Sequence, residues 1–326
     1  MEPSIAMADT VQREERVPET MAGQRLDQAA STLFADFSRE RLKAWIKSGA
    51  LTCDGTSARP KDKLRGGEQL TLEATLEEDT RFAPQAMALE IVHEDDDVIV
   101  IDKPAGLVVH PAAGNPDGTL LNALLHHAPG QMQLPRAGIV HRLDKDTTGL
   151  MVVAKTLSAH ASLVEQLQAR TVSREYDAVV TGRMTAGGSV DEPIGRHPKD
   201  RKRQAVTPSG KPAVTHYRVV ERFPSHTHVR CRLETGRTHQ IRVHLAHRRF
   251  PLIGDPVYAG RLKMPAGATD ALKDVLRHFP RQALHARKLA FVHPATGEAV
   301  EFRAALPDDM LMLLDFLRDA ADTHAE

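Results

Sequence analysis

The chain has 326 residues, 41% of them hydrophobic and 26% charged, with a formal net charge of zero. This composition is typical of a protein with a real apolar core, and the length predicts two domains or one large domain with an appendage. No run of about 18 apolar residues occurs, which gives no support for a transmembrane helix. Cys53 and Cys231 match no disulfide or metal-ligand spacing, which favours a reducing cytoplasm.

The zero net charge hides a segregation of charge along the chain. Residues 1–99 carry 12 Lys and Arg against 20 Asp and Glu. Residues 195–249 carry 14 Lys and Arg against 3 acids, together with seven histidines. A local basic field of this kind concentrates a polyanion such as a nucleic acid. A solvated basic face without a partner is the alternative interpretation.

The N-terminal sequence predicts a tail followed by a small domain. Residues 1–21 are mixed in charge and lack an apolar core, so we expect a flexible tail. Residues 22–80 predict two helices, the second opened by Ser38 and ended by Gly49, and then two strands joined by a turn at Asp54. This order resembles the S4 RNA-binding module. The resemblance implies that the second helix contacts RNA, through basic residues that include Arg39, Arg41 and Lys43.

The rest of the chain predicts a larger domain, residues 89–326, after a proline-broken linker at 81–88. Strands are predicted at VIVI, LVV, GIVHRLD, GLMVVAKT, EYDAVVTG, VTHYRVVERF, THVRCRLETG, HQIRVHLA and KLAFVHP, with one helix at SAHASLVEQLQAR. Many short strands with few helices predict an α+β domain on a mixed, largely antiparallel sheet. A glycine fingerprint and strand–helix alternation are both lacking, which disfavours a nucleotide-cofactor fold.

The segment HRLDKDTTG, residues 141–149, places a dense polar cluster between two apolar runs. Asp144 stands between Arg142 and Lys145, and nearby positive charge favours an ionised carboxylate. Such a carboxylate can act as a nucleophile, a general base or a metal ligand, although the two cations make a metal the weakest option. A structural ion pair that holds the turn is as well supported by the residues alone.

Two further segments bring candidate site residues. In RLETGRTHQIRVHLAH, the predicted strand turns His239 and His244 to opposite faces, which argues against a histidine metal pair. Arg237 precedes that strand and is placed to reach a carboxylate or a phosphate. In SREYDAVVTG, Tyr176 opens an apolar strand, where a packing role is the more common one.

HRLDKDTTGLMVVAKT, REYDAVVTG and LETGRTHQIRVHLAH, in this order behind an S4-like module, resemble the RluA/RluD family of pseudouridine synthases. The resemblance runs from about Arg25 to near the C-terminus. It implies an enzyme that isomerises uridine to pseudouridine in 23S rRNA of the large ribosomal subunit or its precursor, with the helix 69 stem-loop as the expected site. Because the product is an isomer of the substrate, no cofactor, metal or membrane partner is expected. A monomer is expected.

The resemblance also implies roles for individual residues. Asp144 is the catalytic aspartate, which attacks C6 of the base or C1′ of the ribose or stabilises charge during glycosidic cleavage. Tyr176 packs on the base and helps to remove the C5 proton, and Arg237 pairs with the aspartate. The target base leaves its stack. Arg142 is the arginine that fills the vacated space. His141 and Lys145 shape the loop and contact RNA, and Leu289 forms an apolar wall of the uracil pocket.

Three alternatives stay open from the sequence. The first is a synthase that modifies other rRNA or tRNA uridines. The second is a non-catalytic RNA-binding protein of ribosome assembly. The third is a hydrolytic nucleosidase or glycosidase, which would call for a second carboxylate beside Asp144, such as Glu175 or Glu234.

Overall fold

The structure is a computed structural model that describes residues 10–35, 37, 39–75, 82–112, 114–200 and 203–322. Its helices are α1 (Leu26–Leu33), α2 (Arg39–Ser48), α3 (Leu120–His127), α4 (Leu157–Gln168), α5 (Gln240–His247), α6 (Asp270–His278) and α7 (Asp308–Asp322). Its strands are β1 (Thr10–Arg16), β2 (Leu51–Cys53), β3 (Gln69–Thr75), β4 (Ile91–Glu94), β5 (Val98–Lys103), β6 (Thr148–Ala154), β7 (Ser173–Thr181), β8 (Gly188–Asp191), β9 (Ile194–Arg196), β10 (Gln204–Val206), β11 (Val214–Arg222), β12 (His226–Leu233), β13 (Leu284–Val292) and β14 (Ala299–Arg303). Across these described ranges, none of the helices has the length and apolar character needed to cross a membrane.

The N-terminal module, residues 10–75, packs α1 and α2 against a three-stranded sheet of order β1-β3-β2. Apolar residues of both helices and of the strands form its core, among them Leu26, Leu42 and Leu70. The predicted order of two helices followed by two antiparallel strands is present. The helix cap predicted at Ser38 lies outside the described residues.

Strand β1 corrects the expected N-terminal tail. It pairs antiparallel with β3 along its whole length, and the following Val17 is only 1% exposed. The prediction of a flexible segment is therefore wrong from Thr10 onward, and residues 1–9 lie outside the described part of the chain. The strand sequence TVQREER is polar on both faces. Its backbone hydrogen bonds to β3, rather than an apolar alternation, define it.

The main module, residues 82–322, is built on a sheet of order β4-β5-β6-β13-β7-β12-β11-β8, with β14 paired to β13. Every neighbouring pair in this sheet is antiparallel except β13 with β6. The predicted mixed, largely antiparallel sheet is thus confirmed. Residues 82–88 of the predicted linker have no regular structure, and the backbone amide of Gln85 donates to the carbonyl of Asn122 at 3.0 Å.

Alternating side chains give β5 and β6 two apolar faces, which is why both strands read as unbroken apolar runs. One face joins the core beneath α3, and the other packs against α4. The residues of the first face are Ile99, Ile101, Met151 and Val153; those of the second are Val98, Val100, Leu150 and Val152. A third cluster holds α6 and α7 against the sheet near Val179.

Three predicted strands are wrong, one of them because it is a helix, and three further helices were not predicted. LVV forms a loop, GIVHRLD makes only the single bridge of Ile139 with Val153, and HQIRVHLA is helix α5. The helices that were not predicted are α3, α6 and α7. In HQIRVHLA the apolar residues at 241, 243 and 245 satisfy a strand alternation, but 241 and 245 also lie one helical turn apart. A run this short does not separate the two periods.

Candidate active site

A cavity of about 660 Å³ opens beside the edge of α5, at the place where β7 begins. Its wall combines the loop 139–144, the start of β7, the segment 233–242, the residue Leu284 and the turn 134–136. These segments are distant in sequence, and the sheet brings them together because β6, β13, β7 and β12 are neighbours. The cavity therefore collects all three motif segments that the sequence singled out.

Asp144 projects into this cavity with its side chain 15% exposed. Arg242 Nη1 donates to Asp144 Oδ2 at 2.9 Å. His239 Nε2 lies 3.8 Å from the other carboxylate oxygen, Oδ1. The carboxylate is thus oriented by groups of one segment, while part of it remains open to a ligand in the cavity.

Arg242 is itself clamped from behind by Asp255. Its Nε and Nη2 donate to the two oxygens of Asp255 at 2.7 and 2.9 Å, a bidentate arrangement that leaves Nη1 for Asp144. Burial lowers the pKa of Arg242, but the hydrogen bonds and charges of Asp255 and Asp144 outweigh it and raise that pKa above its ordinary value. The backbone amides of Val257 and Tyr258 complete the coordination of Asp255.

The prediction that Arg237 pairs with Asp144 is therefore wrong. Arg237 lines the cavity, but its Nε donates to the carbonyl of Pro212 at 3.1 Å. The error follows from the prediction of a strand at HQIRVHLA, because Arg237 then lies in the turn before that strand, where it could reach a carboxylate. Folding of 240–247 as a helix instead directs the buried Arg242 at Asp144.

His239 is the residue at which the chain enters α5. It adopts a left-handed conformation, φ 58° and ψ 22°, which is uncommon for a residue with a side chain. Its Nδ1 is 2.8 Å from the hydroxyl of Tyr258, and burial lowers its pKa. No functional role was predicted for His239, Arg242 or Tyr258, although all three lie in segments that the sequence singled out.

Tyr176 is 6% exposed and lines the cavity, and its contact with a base stays a prediction. Burial raises the pKa of its hydroxyl, and the charge of Asp144 adds to this effect. The side chain is consequently a neutral phenol at neutral pH. It can pack and donate a hydrogen bond, but its phenolate form is disfavoured.

His141 does not stand free for contact with a ligand. Its Nε2 accepts a hydrogen bond from the backbone amide of Val152 at 3.1 Å, which fixes the loop to β6. Burial, together with the charge of Arg174, lowers the pKa of His141 to about 3. The imidazole is thus neutral and serves as a backbone acceptor.

A buried lysine holds the other side of the loop. Lys103 is 1% exposed, and its Nζ donates to the carbonyls of Pro104, Leu107 and Lys145 at 2.7, 3.0 and 2.9 Å. Burial lowers its pKa to about 8. The side chain of Lys145 is exposed, so the structure uses its carbonyl to anchor the loop and leaves its ammonium at the surface.

The cavity wall is strongly basic. Six arginines line it against one carboxylate, Asp144, among the residues that the structure describes: Arg41, Arg136, Arg142, Arg174, Arg237 and Arg242. Arg142 and Arg136 are exposed, whereas Arg174 and Arg242 are buried. This distribution favours an anionic ligand. No group of three or more potential metal-binding side chains occurs within the described ranges.

The basic helix α2 contributes unequally to this site. Arg41 lines the cavity, donates from Nη1 to the carbonyl of Gln133 at 3.3 Å and lies 5.8 Å from the ring centre of Trp45. Arg39 instead pairs with the buried Asp27 at 2.7 Å, and Lys43 does not line the cavity. Of the three predicted RNA contacts, only Arg41 stands at the cavity.

The prediction that Leu289 forms the apolar wall is wrong. Leu289 is 1% exposed and belongs to the core beneath α4, outside the cavity wall. Leu284, which lines the cavity, belongs instead to the core cluster that contains Tyr176, and a register shift between Ala286 and Lys288 separates it from Leu289 along β13. Leu284 and Leu233 supply apolar wall in its place.

Comparisons with known proteins identify relatives over almost the whole chain. A family model described as RNA pseudouridylate synthase matches residues 97–247. The chain is 60% identical over 312 residues to ribosomal large subunit pseudouridine synthase D of Pseudomonas aeruginosa, covering 96% of this chain and 98% of the relative. It is 56% identical over 321 residues to the protein of the same name from Escherichia coli O157:H7, covering 98% of each.

Solved structures agree with these sequence relatives. Human RNA Pseudouridylate Synthase Domain Containing 4 is 29% identical with a TM-score of 0.56, covering 70% of this chain and 93% of that chain. Human RNA Pseudouridylate Synthase Domain Containing 1 shares the fold, with a TM-score of 0.52 at 23% identity over 71% of this chain and 95% of that chain.

Proposed function

Because this chain belongs to the RNA pseudouridylate synthase family, we propose that it converts specific uridines of 23S rRNA in the large ribosomal subunit to pseudouridine, with Asp144 as the nucleophile. The names of the bacterial relatives, each a ribosomal large subunit pseudouridine synthase D, support this substrate class. The helix 69 stem-loop is the proposed target.

The observation that carries the proposal is the single oriented carboxylate in a basic cavity. Asp144 is held by Arg242, which Asp255 fixes in turn, and the surrounding wall carries arginines. A nucleophile is most effective when neighbouring groups aim it at the reacting atom. RNA supplies the negative charge that the wall favours.

In the proposed reaction, Asp144 attacks the uridine at C1′ of the ribose or at C6 of the base, and the bond between C1′ and N1 breaks. The ring then turns and joins the ribose through C5, so that substrate and product are isomers. Tyr176 packs against the base in this scheme. Its raised pKa keeps the hydroxyl protonated, which supports a role as a neutral contact rather than as a general base.

The uridine must leave its stack to reach Asp144, at a cost of about a few kcal/mol. We assign to Arg142 the task of occupying the space that the base vacates, because it is exposed at the cavity and stands two residues from the nucleophile. A guanidinium plane can stack on bases while its charge remains near phosphates. Arg41 places the N-terminal module, proposed as an S4-like RNA-binding unit, beside the same opening.

Cells that lack the protein test both the reaction and its target. Pseudouridine mapping in their large-subunit rRNA should show sites that disappear and that return with the wild-type chain. Asp144→Asn keeps the shape of the side chain but removes its nucleophilicity, so we expect no return of these sites. The purified variant should bind rRNA fragments within about threefold of wild type, since the exposed arginines carry most of the affinity.

Three outcomes would contradict this proposal. Pseudouridine formation by Asp144→Asn would remove the aspartate from the reaction. An unchanged rRNA map in cells lacking the protein would exclude the proposed substrate. Release of free uracil by the wild type would point instead to hydrolysis.

A further inference from the structure

Arg174 is a buried cation in the cavity wall without a partner in the described part of the chain. It is 6% exposed and lines the same cavity as Asp144. Its Nε has no hydrogen-bond acceptor there, and no described carboxylate acts on its charge. Arginine keeps its proton at neutral pH. The positive charge therefore loses most of its contact with water, and no described carboxylate compensates it.

The carboxylates beside Arg174 are engaged elsewhere. Glu175, the next residue of β7, lies 3.8 Å from Lys288. Glu234, which follows the neighbouring strand β12, pairs with His216 and Arg170 at 2.6 and 3.2 Å. Asp144 is paired with Arg242. Within the described ranges, the absence of a counter-charge at Arg174 thus reflects how these acids are distributed.

Three described neighbours of Arg174 carry no charge at neutral pH: Tyr176, His141 and Gly236. Tyr176 follows two residues along β7, and burial raises the pKa of its hydroxyl. His141 carries no charge at neutral pH, because burial and Arg174 lower its pKa to about 3. Gly236 lies so close that a Cβ there would stand 2.7 Å from Arg174 Nη1. The glycine therefore leaves room for the guanidinium in its present position.

The depth of Arg174 indicates which part of an RNA it meets. Arg136 and Arg142 are exposed, where the phosphates of a bound strand remain. Arg174 instead lies buried beside Tyr176, in the part of the wall that a base entering the cavity would reach. Burial of an unpaired charge is costly, and such groups are retained where a ligand supplies the opposite charge.

We propose that Arg174 is a further catalytic residue, which binds a carbonyl oxygen of the uracil ring and stabilises the negative charge that the ring acquires during the reaction. This assignment rests on the proposed function. When the C1′–N1 bond breaks, its electron pair stays on the ring and spreads over N1, O2 and O4. C5 then forms the new bond to C1′, loses its proton to solvent, and N1 gains one. A guanidinium fixed in a buried site stabilises such charge more than water does.

Arg174→Ala tests this role under single-turnover conditions with RNA that carries tritium at C5 of uridine. We expect tritium release to slow by about 100- to 1000-fold, as for the loss of one oxyanion-binding donor, while the Kd for the RNA stays within about threefold. Added guanidinium should restore part of the rate by entering the vacated space. Gly236→Ala, which displaces the guanidinium but keeps its charge, should also slow the reaction. Arg232→Ala removes an exposed arginine of β12 outside the cavity and serves as the matched control.

Other outcomes overturn the assignment. A wild-type rate in Arg174→Ala would do so directly. Weaker RNA binding with an unchanged rate and a shallower salt dependence would identify a phosphate contact instead. Should Arg174→Ala not fold, Arg174→Lys carries the test. A loss relieved by neither lysine nor guanidinium would indicate a packing role. If the wild-type chain forms no pseudouridine, it is the proposed function that fails.

Discussion

At the scale of single residues, Arg242 decides the orientation of Asp144. Its planar fork satisfies Asp255 with two nitrogens and still presents Nη1 to Asp144. A lysine carries the same charge but offers no fork, so it cannot hold both carboxylates in this geometry. Tyr258 adds an aromatic ring 5.1 Å from the guanidinium carbon, which limits its movement further.

Arg242→Lys should therefore reduce kcat for pseudouridine formation by about 100-fold, because a misaligned nucleophile is strongly penalised. Arg237→Lys is the matched control. Its side chain bonds only the carbonyl of Pro212 among the described residues, so we expect a change of less than about fivefold. Single-turnover tritium release from C5-labelled RNA measures both, with thermal melting to check folding. The reverse order of the two effects would return Arg237 to the role of aspartate partner.

The sequence could indicate Asp144 but not its partner. Asp144 stands in a polar segment between apolar runs, which is visible from spacing alone. Choosing between Arg237 and Arg242 requires knowing whether 240–247 is a strand or a helix, and eight residues do not settle the period. Arg174 could not be found for another reason, since its lack of a counter-charge among the described residues depends on the partners that Glu175 and Glu234 adopt in the fold.

At the scale of elements, the loop that carries Asp144 is rigid because several elements hold it. Lys103 of β5 bonds the carbonyl of Lys145, and Gln282 Nε2 donates to Thr147 Oγ1 at 3.0 Å. The first residue of β6, Thr148, lies 2.9 Å through Oγ1 from Nδ1 of His285. A loop fixed in this way positions a nucleophile as well as a regular strand would.

Lys103→Met should lower the free energy of unfolding by about 2–4 kcal/mol, because three buried carbonyls lose a charged donor. The loss is limited, since removing a buried charge also ends its desolvation cost. Urea denaturation measures the change, and kcat should fall with it. Lys145→Met alters an exposed side chain of the same loop and should leave stability within about 0.5 kcal/mol. Equal stability of the two variants would show that Lys103 does not anchor the loop.

Local sequence predicted the strands of the main sheet better than its helices. β5, β6 and β7 are long β-rich runs, and their type follows from composition. In helix α3, residues 120–125 are all buried, so the helix lacks the polar face that marks a surface helix. Strand β1 was missed for the opposite reason. Its side chains are mostly polar, and its strand conformation depends on pairing with β3, which is distant in sequence.

At the scale of the whole molecule, the mixed sheet and the basic segment 195–249 were both predictable, but the burial of histidines was not. His226 and His285 are 2% and 1% exposed. Burial lowers the pKa of each to about 4. An unfolded chain protonates histidine near pH 6.5. Between about pH 6.5 and 4 the unfolded state therefore binds more protons than the folded state, so stability must fall as the pH falls through this range.

We accordingly expect the free energy of unfolding to decrease from pH 7 to pH 4.5, with each buried histidine contributing up to about 3 kcal/mol once the pH reaches 4. Carboxylates whose pKa is lowered in the fold, such as Asp177 and Asp255, reduce the free energy of unfolding only when the pH falls below about 4. His226→Leu should reduce the slope of the free energy of unfolding against pH by the amount expected for about one proton, because burial is the cause of the lowered pKa of His226. His126→Gln, at an exposed position, should not change the slope. Urea denaturation at several pH values measures this, and a slope equal in the wild type and His226→Leu would show that His226 is already protonated in the folded protein.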